Sequence, residues 1–347
     1  MNRDYWPTQD WRAAAPESVG MDAECLSSLD REIEVRFRSI NAFLVIRWGY
    51  LIFERYYGGC GQDDKHLVAS VTKSFVSALI GIAIDQGFVE GVHQPVLGFF
   101  PEFARSAHDR LKRQMTVKHL LTMTAGFQWR TGARAYEPLL NRMRRSEDWV
   151  AFILNLPVQE RSFGRFQYNS AASHLLSAII TRSTGRNAQE FAAEHLFEPI
   201  GIDRPAPTTP HTYSQADVFG NTSGGWPQDP QGNSIGGWGL LLKPRDMARF
   251  GYLYLNGGQW DGEQIVPKKW VEDSVSPHTP GYGYQWWLRD VNGVFVFSAV
   301  GRGGHHIFCV PEKDLVVVVA ANPGGRWRDR WPLLEEYVIP AAGCVSP

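Results

Sequence analysis

The chain reads as an α+β fold, with one antiparallel sheet assembled from both ends of the sequence and a helical lobe inserted between them. Three observations carry this expectation. Two β-rich runs, 42–48 (AFLVIRW) and 51–57 (LIFERYY), stand near the N-terminus. Three more, 294–300 (VFVFSAV), 305–310 (HHIFCV) and 315–321 (LVVVVAA), stand near the C-terminus. Most of what lies between has helical rather than alternating period.

In chain order, Gly49 and its neighbours join the first two runs as a hairpin. Helical period follows at 72–86, 117–123, 147–155, 171–183, 188–196 and 245–255. The Gly/Asn/Pro-rich stretch 219–239 is the longest expected loop, a length usually tied to function or disorder. Gly-rich or Pro-containing turns, Pro311 to Asp314 among them, separate the three C-terminal runs, and the last of these is apolar enough to be buried on both faces. An amphipathic stretch at about 329–338 is placed to pack across the sheet. The expected organisation is a single domain over 1–347, with an α/β lobe from about 1–80 and 240–347 and a helical lobe over about 81–239. A crevice is expected at the seam between them.

The composition narrows the partners. The 347 residues are 44% hydrophobic and 20% charged, which excludes a disordered chain. Thirty-five basic against 36 acidic residues give a net charge of −1, with no electrostatic pull toward nucleic acid. No stretch is long and apolar enough for a membrane helix. The opening MNRDYWPTQDWRAAAPESVG has no signal-peptide pattern. Four scattered cysteines (Cys25, Cys60, Cys309 and Cys344) suit reduced thiols, so a cytoplasmic location is expected. Oligomeric state is not legible.

The chemistry concentrates in three short segments. Ser70-Val71-Thr72-Lys73 opens the apolar run FVSALIGIAI. On a helix, Lys73 lies one turn beyond Ser70, on the same side, where a partly neutral amine can accept the hydroxyl proton. The helix start also offers a free N–H and a positive dipole end to an oxyanion. The plain alternative is a serine cap followed by a surface lysine. Phe166-Gln167-Tyr168-Asn169-Ser170 opens the helical run AASHLLSAII. Tyr168 there is either packing or a phenol that passes a proton with Lys73. Asn169 and Ser170 could hold substrate or position the lysine. Gly301-Arg302-Gly303-Gly304-His305-His306 enters a strand, and its glycines allow close approach of a backbone or ligand. The His305 N–H could be a second oxyanion donor, and Arg302 could hold a carboxylate or orient Tyr168. Strand alternation predicts one histidine inward and one outward, in preference to a metal site, since no metal-ligand spacing accompanies them.

Ser70-x-x-Lys73, Tyr168-x-Ser170 and Arg302-Gly303-Gly304, in this order, resemble the three motifs of the penicillin-recognising serine hydrolases. The match is to their class C-type branch, which includes esterases and 6-aminohexanoate-oligomer hydrolases. SVTKSFVSALIGIAIDQG, HLLTMTAGF, GGWGLLLKPRDMARFGYLYLNGGQWDG and YGYQWW extend it along nearly the whole chain. The resemblance implies a β-lactamase/transpeptidase-like fold. It also implies Ser70 as acylated nucleophile, Lys73 as proton acceptor, Tyr168 as acid/base partner, and the amides of Ser70 and His305 as oxyanion hole. It further suggests that Trp129 and the segment Tyr284 to Trp287 line the cleft. Two departures stand out. Ser170 occupies the place where β-lactamases of this branch carry asparagine, and Arg302-Gly303-Gly304 replaces Lys-Thr-Gly, losing a hydroxyl used on β-lactam carboxylates.

The expected function is therefore a serine hydrolase acting on a small ester or amide, without metal or organic cofactor. The alternatives are a true β-lactamase or D-amino-acid peptidase, and a catalytically idle homologue that binds a ligand.

Overall fold

The computed structural model describes residues 3–104, 110–132, 137–208, 213–214, 225–322 and 328–343. Six strands form its central antiparallel sheet: β1 (Ile40–Arg47), β2 (Tyr50–Tyr56), β3 (Trp287–Val291), β4 (Val294–Gly301), β5 (His305–Val310) and β6 (Leu315–Ala321). Their spatial order is β2-β1-β6-β5-β4-β3, so the N-terminal hairpin docks on the last strand of the chain. The register runs from Ala42 opposite Ala320 to Arg47 opposite Leu315.

Alternation along these strands builds two cores. Leu44, Ile46, Ile307, Cys309, Val316 and Val318 face one layer of helices. Phe43, Val45, Phe308, Val310, Val317 and Val319 face the other. A sheet covered on both faces has no polar side, which is why β6 reads LVVVVAA.

The first layer contains α2 (Thr72–Asp85) and α5 (Pro244–Leu255). Helix α2 is apolar almost all round, as a helix enclosed by protein must be. Phe75 stacks on Phe250 of α5 at 3.7 Å between centroids. Helix α5 lies so close to the sheet that a Cβ at Gly251 would meet Ile307 Cγ2 and Val316 Cγ1 at 2.7 Å. Gly251→Ala should lower stability by about 1–3 kcal/mol through overpacking, less the small gain in helix propensity, read as a lower urea midpoint at constant slope.

The second layer is α1 (Ala23–Arg36) with the C-terminal helical segment 331–341. The latter supplies Leu333, Leu334 and Val338 to the core, in keeping with the amphipathic stretch expected there. Helix α1 is not among the expected elements, although its signals are present. Asp22 caps the Glu24 and Cys25 amides, and Leu26, Leu29 and Ile33 form one stripe. The edge strand β3 is also absent from the expected runs, because Arg289 and Asp290 dilute its pattern. Its signal is the Asn292-Gly293 turn, with φ of 54° and 84°, the two-residue type that closes hairpins.

Between the strand groups lie α3 (Val117–Leu121), α4 (Ser170–Thr184) and shorter helices. The stretch 219–239 is described only from Gly225, where Gly225–Pro227 pairs in parallel with Ala206–Thr208. Positions 219–224 and Cys344 lie outside the described residues. No described helix is long and apolar enough to cross a membrane.

Candidate active site

Ser70 lies in the single 3-10 turn Ala69–Val71 that leads into α2, and its side chain is partly exposed. Ala69, just before it, has φ of 48°, a left-handed conformation costly for a residue with a Cβ. Thr72 ties the turn down, donating to the Ala69 carbonyl at 2.7 Å and accepting from the Leu240 amide at 3.2 Å. The end of β4 presses on the same segment: a Cβ at Gly301 would lie 2.2 Å from the Val68 carbonyl oxygen. Only glycine permits that approach.

Lys73 follows one turn later and is 2% exposed. Its Nζ reaches Ser70 Oγ at 3.0 Å, Ser170 Oγ at 3.1 Å and the Gly237 carbonyl at 2.6 Å. Burial pushes its pKa down to about 8, with Glu137 acting in the opposite sense. The ammonium is 5.0 Å from the centroid of the Tyr168 ring. Burial raises the Tyr168 phenol well above its ordinary pKa, a hydrogen bond with Ser70 opposes this, and Glu137 adds to it. An amine poised to lose its proton and a phenol that keeps one thus meet at the same hydroxyl.

Helix α4 brings the second segment in. Asn169 is its N-cap, accepting from the Ala172 amide at 2.8 Å. Asn169 is 2% exposed, and its side-chain carbonyl oxygen is committed to the helix start. Ser170, at the first helical position, turns its hydroxyl onto Lys73. Gly237 reaches the lysine because its neighbour Gly236 has no side chain; a Cβ there would sit 2.2 Å from the Ser173 carbonyl oxygen. His174, paired with Asp229 at 3.0 Å and fully buried, accepts from the Gly236 amide at 3.4 Å and anchors this loop.

The third segment is a tight turn. Gly303 and Gly304 have φ of 97° and 99°, and Gly304 packs against the buried Arg330 guanidinium. Arg302 projects into solvent from the turn. His305 opens β5 opposite Gly301, but its imidazole is fully buried and accepts from the Ala321 amide at 3.3 Å. Desolvation first, then neighbouring His66, His306 and Arg330, push its pKa down to about 3. The expected inward–outward alternation of the two histidines is corrected: both are buried, because the sheet is covered on both faces.

The tryptophans divide sharply. Trp129, Trp226, Trp238 and Trp286 are buried, at 1%, 0%, 4% and 0% exposure. Trp129 is therefore a packing and hydrogen-bonding residue, not an open cleft wall; its Nε1 donates to Glu137 at 2.8 Å. Trp287 is half-buried and stacks on Tyr168 at 5.7 Å and 25°, with Tyr282 and Phe166 against its other sides. These rings form an aromatic wall beside the phenol.

Two residues at the site escape sequence reasoning. Glu137 stands among arginines and resembles a surface ion-pair partner, yet it is 6% exposed and accepts from Trp129, Thr131 and the Ser170 amide. Gln285, at φ of 64°, binds three elements: its side chain accepts from Ser173 and donates to the Leu120 and Leu121 carbonyls, and its carbonyl accepts from Ser74. A glutamine in a run of aromatics carries no mark of such a role. Among the described residues, no three His, Cys, Asp or Glu side chains gather as a metal-ligand set.

A hydroxyl and a buried amine at the start of α2 thus meet a phenol carried in just before α4. The chain belongs to the beta-lactamase family, whose model matches residues 39–337, and it is a serine hydrolase of that family. It is 26% identical over 335 residues to the 6-aminohexanoate-dimer hydrolase of Paenarthrobacter ureafaciens, covering 89% of this chain and 79% of that one. The fold is shared with a Bacillus anthracis protein provisionally described as a 6-aminohexanoate-dimer hydrolase, at TM-score 0.73, 20% identity and coverage of 99% and 90%. It is also shared with a family VIII carboxylesterase at TM-score 0.66, 17% identity and coverage of 92% and 97%.

Proposed function

We propose that the chain cleaves a small ester or amide through an acyl-enzyme on Ser70. The observation that carries this reading is the 3.0 Å contact between Ser70 Oγ and a buried lysine whose pKa lies near 8. Ser70 Oγ attacks the substrate carbonyl as its proton passes to Lys73 Nζ. The amides of Ser70 and His305 receive the developing oxyanion. The intermediate collapses as the proton returns, through the Tyr168 hydroxyl, to the departing alkoxide or amine. A water molecule then repeats the sequence on the acyl-serine, with Lys73 and Tyr168 again moving the proton, and releases the acid. Ser170 positions Lys73, and Arg302, at the mouth with Gly303 and Gly304 shaping its turn, meets an anionic end of the substrate. Trp287 supplies an apolar wall.

The Paenarthrobacter ureafaciens relative is named for the 6-aminohexanoate dimer, so short amides belong beside esters as candidate substrates. Efficient β-lactam hydrolysis is disfavoured, because Gly303 stands where the family motif has a threonine hydroxyl. The free thiols of Cys60 and Cys309 suit a reducing, cytoplasmic setting, and the motif residues from 70 to 305 form one catalytic domain.

The test is a fluorophosphonate probe with peptide mapping, followed by a panel of nitrophenyl esters, alkyl esters, the 6-aminohexanoate dimer and a chromogenic cephalosporin. Labelling at Ser70 and turnover of ester or linear amide above the Ser70→Ala blank are expected. No adduct on Ser70, or turnover undiminished in Ser70→Ala, overturns the reading. A cephalosporin turned over faster than every ester and amide favours the β-lactamase alternative.

A further inference from the structure

The buried carboxylate of Glu137 touches neither Ser70 nor Lys73, yet it brackets the tyrosine segment from both sides. Its Oε1 accepts from the Ser170 amide at 2.8 Å, at the positive end of α4, where an anion is favoured. The same oxygen accepts from Trp129 Nε1 at 2.8 Å and Thr131 Oγ1 at 3.3 Å. Thr131 has one hydroxyl proton, which it shares between this oxygen and the nearer Tyr168 carbonyl at 2.5 Å. One carboxylate thus pins the backbone on either side of Asn169, and through it the side chains of Tyr168 and Ser170 that meet the lysine. Two N–H donors and one shared hydroxyl proton keep the carboxylate in place without cancelling its charge, and little water intervenes to screen it.

We infer that Glu137 is the internal counter-charge and positioning residue of the Ser70–Lys73–Tyr168 centre, setting both where the lysine's partners stand and how readily the lysine holds its proton. This rests on the proposed acyl-enzyme reading. Among the described residues, the groups facing Lys73 are the uncharged Ser70, Ser170 and Gly237 carbonyl, the Tyr168 ring, and Glu137 as the one full charge acting on it. Tyr282 faces Tyr168 from the aromatic wall. The negative charge favours the ammonium form of Lys73 and the protonated form of Tyr168. It therefore holds the base protonated to a higher pH than burial alone would.

The experiment is the pH profile of Ser70 acylation, with Glu137→Gln and Glu137→Asp beside the parent, each checked for a cooperative thermal transition. Glutamine keeps a carbonyl acceptor for the Trp129 and Ser170 N–H groups but removes the charge. Its acidic limb should move to lower pH by about half to one unit, with the plateau within about tenfold of the parent. Aspartate keeps the charge but shortens the reach, so its limb should stay near the parent's while its plateau falls. A purely structural Glu137 would lower the plateau in both variants without moving either limb, and that result overturns the inference. A limb that moves upward, or a folded Glu137→Gln protein without acylation at any pH, overturns it equally. Should Glu137→Gln not fold, the aspartate variant decides, since a limb displaced downward there contradicts charge control. Failure of the parent to label at Ser70 would instead remove the underlying acyl-enzyme reading, so the two failures are distinguishable.

Discussion

Lys73→Met is expected to slow acylation of Ser70 by roughly 10²–10⁴-fold, the range typical of a lost general base. Methionine fills a similar apolar volume but accepts no proton, and it leaves the Gly237 carbonyl and Ser170 hydroxyl without the donor they share. The parent should show an acylation rate that climbs with pH to a plateau, with its midpoint near the lysine's pKa of about 8. Below that pH the amine is an ammonium and accepts nothing. The variant should lack this limb, and stopped-flow measurement of the acyl-enzyme burst resolves the difference. Stability supplies an independent check. The folded-state pKa of Lys73 is depressed, so between about pH 8 and 10.4 the unfolded chain binds more protons at this site than the folded one. The parent must therefore gain stability, relative to the methionine variant, as pH rises through that window. Denaturant titrations at the two ends of the window measure it, and equal gains in both proteins would place the lysine in water.

Tyr168→Phe should preserve the fold and the aromatic wall while reducing turnover by a comparable factor. The ring's contacts with Trp287 and with the Lys73 ammonium need no hydroxyl, whereas the hydrogen bond to Ser70 does. The loss should fall on kcat more than on KM and depend on the leaving group. An alkoxide or amine must be protonated as it departs, so alkyl esters and amides should lose the most. A nitrophenolate leaves without help, so nitrophenyl esters should lose the least. An equal loss across the leaving-group series would remove the phenol from the proton path and leave it a packing residue.

Both expectations depend on residues of unequal legibility. Ser70 and Lys73 are legible because a helix converts a three-residue spacing into proximity, and the run that follows could be little else. The central strands are legible where burial on both faces leaves uninterrupted apolar runs, as in β5 and β6. The half-exposed strand β3 and helix α1 carry weaker contrast, although a hairpin turn and an N-cap mark each of them. Trp129 misleads because a ring's size says that it is buried somewhere, not whether that place is a cleft or a core. Glu137 leaves no trace, since a carboxylate beside arginines looks alike whether it ends in solvent or against a helix start.

From the residues alone come the order of the chemistry-bearing segments, the sheet drawn from both chain ends, and the serine–lysine pair at a helix start, all set by local periodicity and spacing. Tertiary structure decides the rest. Lys73 takes its fixing contacts from Ser170 and Gly237, 97 and 164 residues away, and its pKa from burial among elements that no short window contains. Hydrogen-bond geometry within a turn is written in adjacent residues. The dielectric around a charge is a property of everything packed against it, and it exists only once the distant parts have met.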